Sequence, residues 1–328
     1  MKKQVLLIGA ALLVGACGSS PTTSNTPPAP AGPSTVAAIA GEVPSDIKSL
    51  APFQIATDAT YAPNEFVNPD TGAIQGWDID LGQAICKVLG VACTFNNVTF
   101  DDIIAQLKAS TPSEQAGGDK PRYLLSISSW TPTQNRENGG IDFITYYKAG
   151  ESWLVKVGGT ATINTAADMC GHTVAVEAGT TEESDAWGMM GKSVGGAAIA
   201  GDKDNCPAGK DITVASFGTQ TEANSALLSG RADFGWLDQP VADYQVHQSN
   251  GKLKIGGQAC SVSPYGIALV KGSALEKPIT DAVKYLIDNN NYYKSVLNRW
   301  GVGDGAIASS DVALNNNSSI GPTCVPSY

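Results

Sequence analysis

The stretch Tyr123-Leu124-Leu125-Ser126-Ile127-Ser128-Ser129-Trp130-Thr131-Pro132-Thr133-Gln134-Asn135-Arg136 decides how this chain folds. Its first five residues are almost wholly apolar, as in a strand at the middle of a mostly parallel sheet covered on both faces. The remainder places hydroxyls and one arginine where that strand ends, and in open α/β sheets the carboxyl end is where ligands bind. Hydroxyls and free backbone groups just ahead of an arginine suit a small carboxylate with an amine beside it.

On the N-terminal side, Phe53 to Thr57 alternates like a strand and runs into the turn-rich Asp58-Ala59-Thr60-Tyr61-Ala62-Pro63. Gly76-Trp77-Asp78-Ile79-Asp80 leads into a helix whose apolar positions Leu81, Ala84, Ile85, Val88 and Leu89 recur with helical period, with Asp80 as N-cap and Gly90 as stop. Asp78 and Asp80 read as capping and solvated residues, since no oxygen-rich metal loop surrounds them. Val91 to Val98 reads as a second strand, Asp101 to Leu107 as a helix capped by an aspartate, and Ser110 to Lys120 as a surface loop.

Downstream, the first unit pauses near Asp142 to Tyr147, and a new strand begins at Ser152. A second α/β pattern follows. The strand His172 to Glu177 meets Ala178-Gly179-Thr180-Thr181 and a helix from Glu182; strand Ile212 to Ala215, helix Glu222 to Leu228 and strand Phe234 to Leu237 then lead to Asp238. A strand over Tyr265 to Lys271, a helix over Ala274 to Asp288 and a shorter one over Tyr292 to Trp300 close the pattern, and the polar tail after Gly301 reads as loose unless a disulfide holds it.

At 328 residues the chain exceeds what one core usually supports, so two lobes are expected. A net charge of −10 without a basic run beyond the second residue argues against nucleic acid as a partner. Residues 1–17 have the form of an export signal: Lys2 and Lys3, an apolar run too short to span a bilayer, then Gly15 and Ala16 before Cys17. Val14-Gly15-Ala16-Cys17 resembles a bacterial lipobox, which would make Cys17 a lipidated N-terminus. Residues 18–47 are poor in charge and rich in Ser, Thr, Pro, Ala and Gly, the composition of a flexible tether. Of seven cysteines, six remain after Cys17, an even number suited to disulfides in an oxidising compartment. Cys86 with Cys93 is the economical local pair. The pairing of the other four is open: Cys170 and Cys206 share one segment, which would leave Cys260 for Cys324. CxxC pairs with nearby histidines are missing, so no metal is expected, and no cofactor either.

Seven motifs occur in the order and at the spacing of one family. Asp58-Ala-Thr-Tyr61-Ala-Pro63, Gly76-Trp-Asp-Ile-Asp80-Leu, Ser128 to Arg136, Ile141-Asp142-Phe143, Gly179-Thr-Thr181, Ser229-Gly-Arg231-Ala-Asp233 and Tyr265 to Lys271 together resemble the bacterial extracellular solute-binding proteins of family 3, the polar amino-acid receptors of ABC importers. The resemblance covers roughly Pro52 to Val302. It implies an α/β, two-lobed periplasmic-binding-protein-like (type II) fold with two hinge strands. Lobe 1 would span 48–147 plus 263–302, lobe 2 would span 150–260, and 303–328 would form a C-terminal tail, with hinges near Lys148 to Gly150 and Ser261 to Tyr265. It also implies a local Cys86–Cys93 disulfide, as in some receptors for basic amino acids.

By the same resemblance, Arg136 and Thr131 take the ligand's α-carboxylate, joined by Thr181 with the Gly179-Thr180 backbone at a helix N-terminus. Asp238 and the carbonyl of Ser129 take the α-ammonium. Tyr61, Phe100 and Trp130 line the side-chain pocket, and Asp58 and Glu177 approach the side chain, which leans towards a basic L-amino acid. Trp77, Trp153, Trp236 and Trp300 are assigned to packing, and Glu137 and Asp233 to the surface or turns. The implied protein is a monomeric receptor, anchored to the membrane through Cys17 on its extracytoplasmic face, with a permease and an ATPase as partners. The rivals are an enzyme on the same fold, a cyclohexadienyl dehydratase for example, or a ligand sensor.

Overall fold

The computed structural model describes residues 30–109, 123–289 and 291–325. The export signal and lipobox, the first part of the tether and the loop from Ser110 to Lys120 lie outside the described residues. After two short helices, α1 (Ala37–Ala40) and α2 (Ser45–Lys48), strand β1 (Phe53–Thr57) enters the main sheet. Three short antiparallel strands follow, β2 (Thr60–Tyr61), β3 (Glu65–Val67) and β4 (Ile74–Gln75), then α3 (Trp77–Leu89), β5 (Cys93–Asn97), α4 (Phe100–Ala109), β6 (Tyr123–Trp130) and the single turn-and-a-half of α5 (Gln134–Asn138). Strand β7 (Ile141–Lys156) crosses to the second lobe, built from β8 (Thr173–Glu177), α6 (Thr181–Gly188), β9 (Thr213–Phe217), α7 (Gln220–Ser229), β10 (Phe234–Asp238) and α8 (Gln239–Gln248). Strand β11 (Leu253–Val270) returns, and α9 (Glu276–Asp288) and α10 (Tyr292–Trp300) pack on the first lobe.

Eight strands form one sheet in the order β5-β1-β6-β11-β7-β10-β8-β9. Strands β7 and β11 pair antiparallel from end to end of the molecule, and they are the two connections between the lobes. Strand β6 is antiparallel to β11 and β10 is antiparallel to β7, so β6 and β10 run in opposite directions. Their carboxyl ends meet. Trp130 at the end of β6 is level, through Gly266, with Thr145, while Asp238 at the end of β10 is opposite Glu151 of the same strand. Each lobe buries its own apolar cluster: Phe53, Leu81, Ile127 and Ile279 in the first, Trp153, Val176, Met189 and Trp236 in the second.

Several local readings change. The Val36 to Ile47 part of the expected tether is packed. Val36 donates its N–H to the Val88 carbonyl, Ala40 and Val43 are buried, and Glu42 pairs with Lys277 of α9. Few apolar residues suffice here because α3 and α9 offer them a ready surface. Gly76, not Asp80, is the N-cap of α3, and Asp80 sits a turn in, accepting hydrogen bonds from Arg299 and Trp300. Helix α4 starts at Phe100, ahead of the expected aspartate. The pause expected in β7 is absent; the irregularity lies in β11, where the register slips between Gly256 and Gly266 and Ser261 has a φ of 49°. Helix α8, with Asp238 at its N-cap and a proline in its first turn, was not foreseen.

The tail after Gly301 is docked, not loose. Thr145 and Ala313 exchange hydrogen bonds, Asn315 binds both Phe143 and Asp142, and Ile320 bridges to Val262. Asn317 donates to Glu137, which is buried and not at the surface. The expected Cys86–Cys93 disulfide forms, and the pairing left open resolves as Cys170–Cys206 and Cys260–Cys324, the last fastening the tail.

Gly76 is where the fold is least tolerant of a side chain: its φ is 141°, and an added Cβ would lie 2.0 Å from the carbonyl oxygen of Asn64. Gly76→Ala is expected to destabilise the protein by roughly 2–4 kcal/mol in urea unfolding, since both the backbone and Asn64 must shift. An unchanged midpoint would mean that the turn relaxes freely.

Candidate functional site

Where the carboxyl ends of β6 and β10 meet, the lobes enclose a cavity of about 20 Å³. That is room for about one water molecule, so a ligand enters only if the lobes part. The first lobe contributes Arg136, which follows from the hydroxyl-rich turn after β6: Thr133 caps α5 by accepting from the Arg136 N–H, and this turns the side chain's own residue towards the second lobe. The guanidinium donates to the carbonyl of Thr131 and, across the gap, to the carbonyl of Gly179 at 2.8 Å. It lies over the Trp130 ring (4.8 Å) and the Phe100 ring (5.6 Å), which are themselves stacked 4.1 Å apart. Burial lowers its pKa to about 10, with Glu182 and Asp238 nearby opposing the shift, so it remains charged at neutral pH.

The second lobe contributes Asp238 and the start of α6. Asp238 is held by Tyr61 of the first lobe, whose hydroxyl donates to Oδ2 at 3.1 Å and accepts from the Asp238 N–H at 3.0 Å. Burial raises the Asp238 pKa to about 6, against the pull of Tyr265, Tyr61 and Arg136. Thr180 is the N-cap of α6 and accepts from the Glu183 N–H, while Glu183 accepts in turn from the Gly179 N–H. Thr181 then stands on the cavity wall in the first turn of the helix.

Of the residues expected in the site, Asp58, Tyr61, Phe100, Ser129, Thr131, Arg136, Glu177, Thr180, Thr181 and Asp238 are brought to this one cavity. Gly179 touches it through its carbonyl bond to Arg136. Trp130 is the exception. Its indole donates to Ser126 and supports Phe100 and the guanidinium from behind, because the last residues of β6 alternate and turn this ring into the core. Asp58 has prior commitments: Oδ1 accepts from Thr60 and Oδ2 from the N–H of Phe100 at 2.8 Å. Glu177 accepts from the Gln220 N–H at 2.9 Å, and the Thr60 hydroxyl accepts from the same N–H, so the two lobes are tied at this rim.

Glu65, Ser128 and Glu182 also line the cavity and were not singled out in the sequence. Ser128 sat in plain view within the decisive stretch. The other two gave less signal, Glu65 lying just after a turn-rich segment and Glu182 at a helix start. Glu65 and Asp78 are both buried, and Asp78 is therefore not the solvated residue expected. Asp78 accepts from the Ser129 N–H and from Tyr146, and Ser128 donates to Glu65, which fixes Ser129 at a φ of 50°. Burial, then the charge of Asp78, push Glu65 well above the carboxylate range, so it is the protonated member of the pair.

The cavity thus holds five carboxyl groups, Asp58, Glu65, Glu177, Glu182 and Asp238, against one guanidinium. Burial raises the pKa of each of the five. Carboxyls in this state gain more from an incoming cation than exposed ones, because the alternatives are protonation or an unpaired buried charge. Among the described residues no group of three or more His, Cys, Asp or Glu is placed to hold a metal ion, and no helix is long and apolar enough to cross a membrane.

The chain is 29% identical over 286 residues to an arginine-binding protein of Corynebacterium glutamicum, covering 87% of this chain and 84% of the relative. It is similar in structure to an ancestral arginine-binding protein bound to arginine, with a TM-score of 0.62 and 30% identity, covering 76% of this chain and 97% of that one. It is also similar to an ancestral amino acid-binding protein that is a precursor of cyclohexadienyl dehydratase, with a TM-score of 0.59 and 28% identity over 76% of this chain and 94% of the other. The family model for bacterial extracellular solute-binding proteins, family 3, matches residues 53–303, and the chain belongs to that family.

Proposed function

We propose that this protein captures a cationic L-amino acid, with arginine the leading candidate, between its lobes and delivers it to the permease and ATPase of an ABC importer. The excess of buried carboxyl groups over guanidinium in the cavity carries this reading. Arg136 and the hydroxyls of Thr131 and Thr181 hold the α-carboxylate, and Asp238 with the Ser129 carbonyl holds the α-ammonium. Glu177 and Asp58 attract the side-chain cation, and the face of Phe100 stacks on it. Because Arg136 and Asp238 come from opposite lobes, a ligand held by both favours the closed arrangement. The protein acts as a monomer tethered through a lipidated Cys17, and it returns its ligand chemically unchanged.

Calorimetric titration with L-arginine, L-lysine and L-histidine tests the proposal: saturable binding of at least one is expected, with the amino acid recovered intact. Arg136→Ala and Asp238→Asn are each expected to weaken that binding by roughly 3–5 kcal/mol with an unchanged circular dichroism spectrum, because each leaves a buried ligand charge unpaired. Near wild-type affinity in both variants would overturn the clamp.

Affinity also depends on pH. Asp238 takes up a proton near pH 6 in the free protein and must lose it to pair with an ammonium, so binding is full above that pH and weakens as pH falls through it. Affinity about tenfold lower at pH 5 than at pH 7.5 is expected, and a flat profile would remove Asp238 from the ammonium site. Finally, a Cβ on Gly179 would lie 2.9 Å from Asp101 of the opposite lobe. Gly179→Ala is expected to keep the lobes from meeting and to cost about tenfold in affinity without loss of fold, measured by the same titration.

A further inference from the structure

We propose that the C-terminal tail is a strap that positions the clamp: it joins α5, which carries Arg136, to the irregular stretch of β11, and so favours the arrangement in which the lobes meet. Its effect on affinity rests on the amino-acid reading above, whereas its effect on the lobes does not. The tail lies beyond the 53–303 span that matches the family, and its role is read from its own contacts.

The tail crosses both strands that connect the lobes. Leu314 bridges Ile144 of β7 and, a few residues on, Ile320 bridges Val262 of β11. At the first strand it is fixed to lobe 1: the Asn315 side chain donates to Asp142 at 2.6 Å and accepts from the Phe143 N–H at 2.8 Å. Between the strands Asn317 donates to Glu137 at 3.1 Å, and Glu137 is the buried neighbour of Arg136 in α5. So short a helix is not stable by itself in water, and its position depends on such contacts. At its far end the tail joins lobe 2, where Cys324 is bonded to Cys260 and Val325 packs in the cluster of Trp153 and Trp236.

What the tail holds in β11 is the least regular part of the strand. The register slips between Gly256 and Gly266, and Ser261 within that stretch has a φ of 49°, in the left-handed region that serine rarely adopts. Two bonds from the tail fix it there. The Pro322 carbonyl accepts from the Ser261 N–H at 2.8 Å, and the Ser261 hydroxyl accepts from the Cys324 N–H at 2.9 Å. The hydroxyls of Ser263 and Ser319, 2.9 Å apart, add a third. A strand bends where its ladder is disrupted, so parting the lobes there changes the backbone at Ser261 and breaks these bonds. The disulfide keeps them formed by holding the tail at high local concentration. The strap thereby stabilises the closed arrangement.

Small-angle X-ray scattering and calorimetry on the full chain test the inference with two variants: Cys260→Ser combined with Cys324→Ser, and Asn315→Ala, which leaves the disulfide in place. Both are expected to show a larger radius of gyration than the wild type without ligand and the same one with saturating L-arginine. Affinity for L-arginine is expected to fall about tenfold in the first and about threefold in the second. An unchanged circular dichroism spectrum shows that a variant is folded, and Asn315→Ala decides alone if the double variant is not. Wild-type scattering without ligand, or wild-type affinity in a protein that binds arginine, overturns the strap. If the wild type binds none of L-arginine, L-lysine and L-histidine while the scattering still differs, the amino-acid reading falls and the strap stands.

Discussion

The antiparallel pairing of β7 with β11 is the constraint on which the rest of the structure depends. Together the two strands connect the lobes and form the centre of the sheet. Their pairing sets β6 and β10 running in opposite directions, and only for that reason do the loops after the parallel strands of each lobe face one another. The same pair also limits how the lobes can move. Strand β7 is uninterrupted, whereas β11 slips register between Gly256 and Gly266 and carries Ser261 at a positive φ. Bulges bend a strand and raise its local twist, so bending concentrates there.

A second constraint is charge. Burying carboxyl groups is costly unless they are paired, hydrogen-bonded or protonated. Each device is used. Glu65 is protonated beside Asp78, Asp58 is held by the start of α4 and by Thr60, and Glu177 is tied to Gln220. Asp238 is held by Tyr61 and, with Glu182, stands near the single guanidinium. The cavity is thus poised to exchange protons for a ligand's positive charge, and stability is given up locally for recognition.

Much of the architecture was legible along the chain because period and punctuation are local. The apolar run of β6, the helical stripes of α3 and α9, and the glycines that stop α3 and α7 each act within a few residues. What was misread depends on partners distant in sequence. Val36 to Ile47 is tether-like in composition and folds only because α3 and α9 receive it; the tail is polar, yet it pairs with β7 and β11. Trp130 belongs to the decisive motif, but strand alternation turns it away from the cavity. Glu65 and Asp78 carry no sign in the sequence that both are buried and share a network under Ser129.

By itself, then, the sequence determined the kind of fold and the local Cys86–Cys93 pair, since these follow from periodicity and spacing, and its motifs, through their resemblance to one family, pointed to residues that could hold a carboxylate and an amine. Only the tertiary structure decided which carboxyl groups face the cavity, which are already spent on the backbone, and that a docked tail crosses the two strands between the lobes. The physical reason is that burial and charge compensation depend on neighbours brought from both lobes, and no stretch of chain carries that information alone.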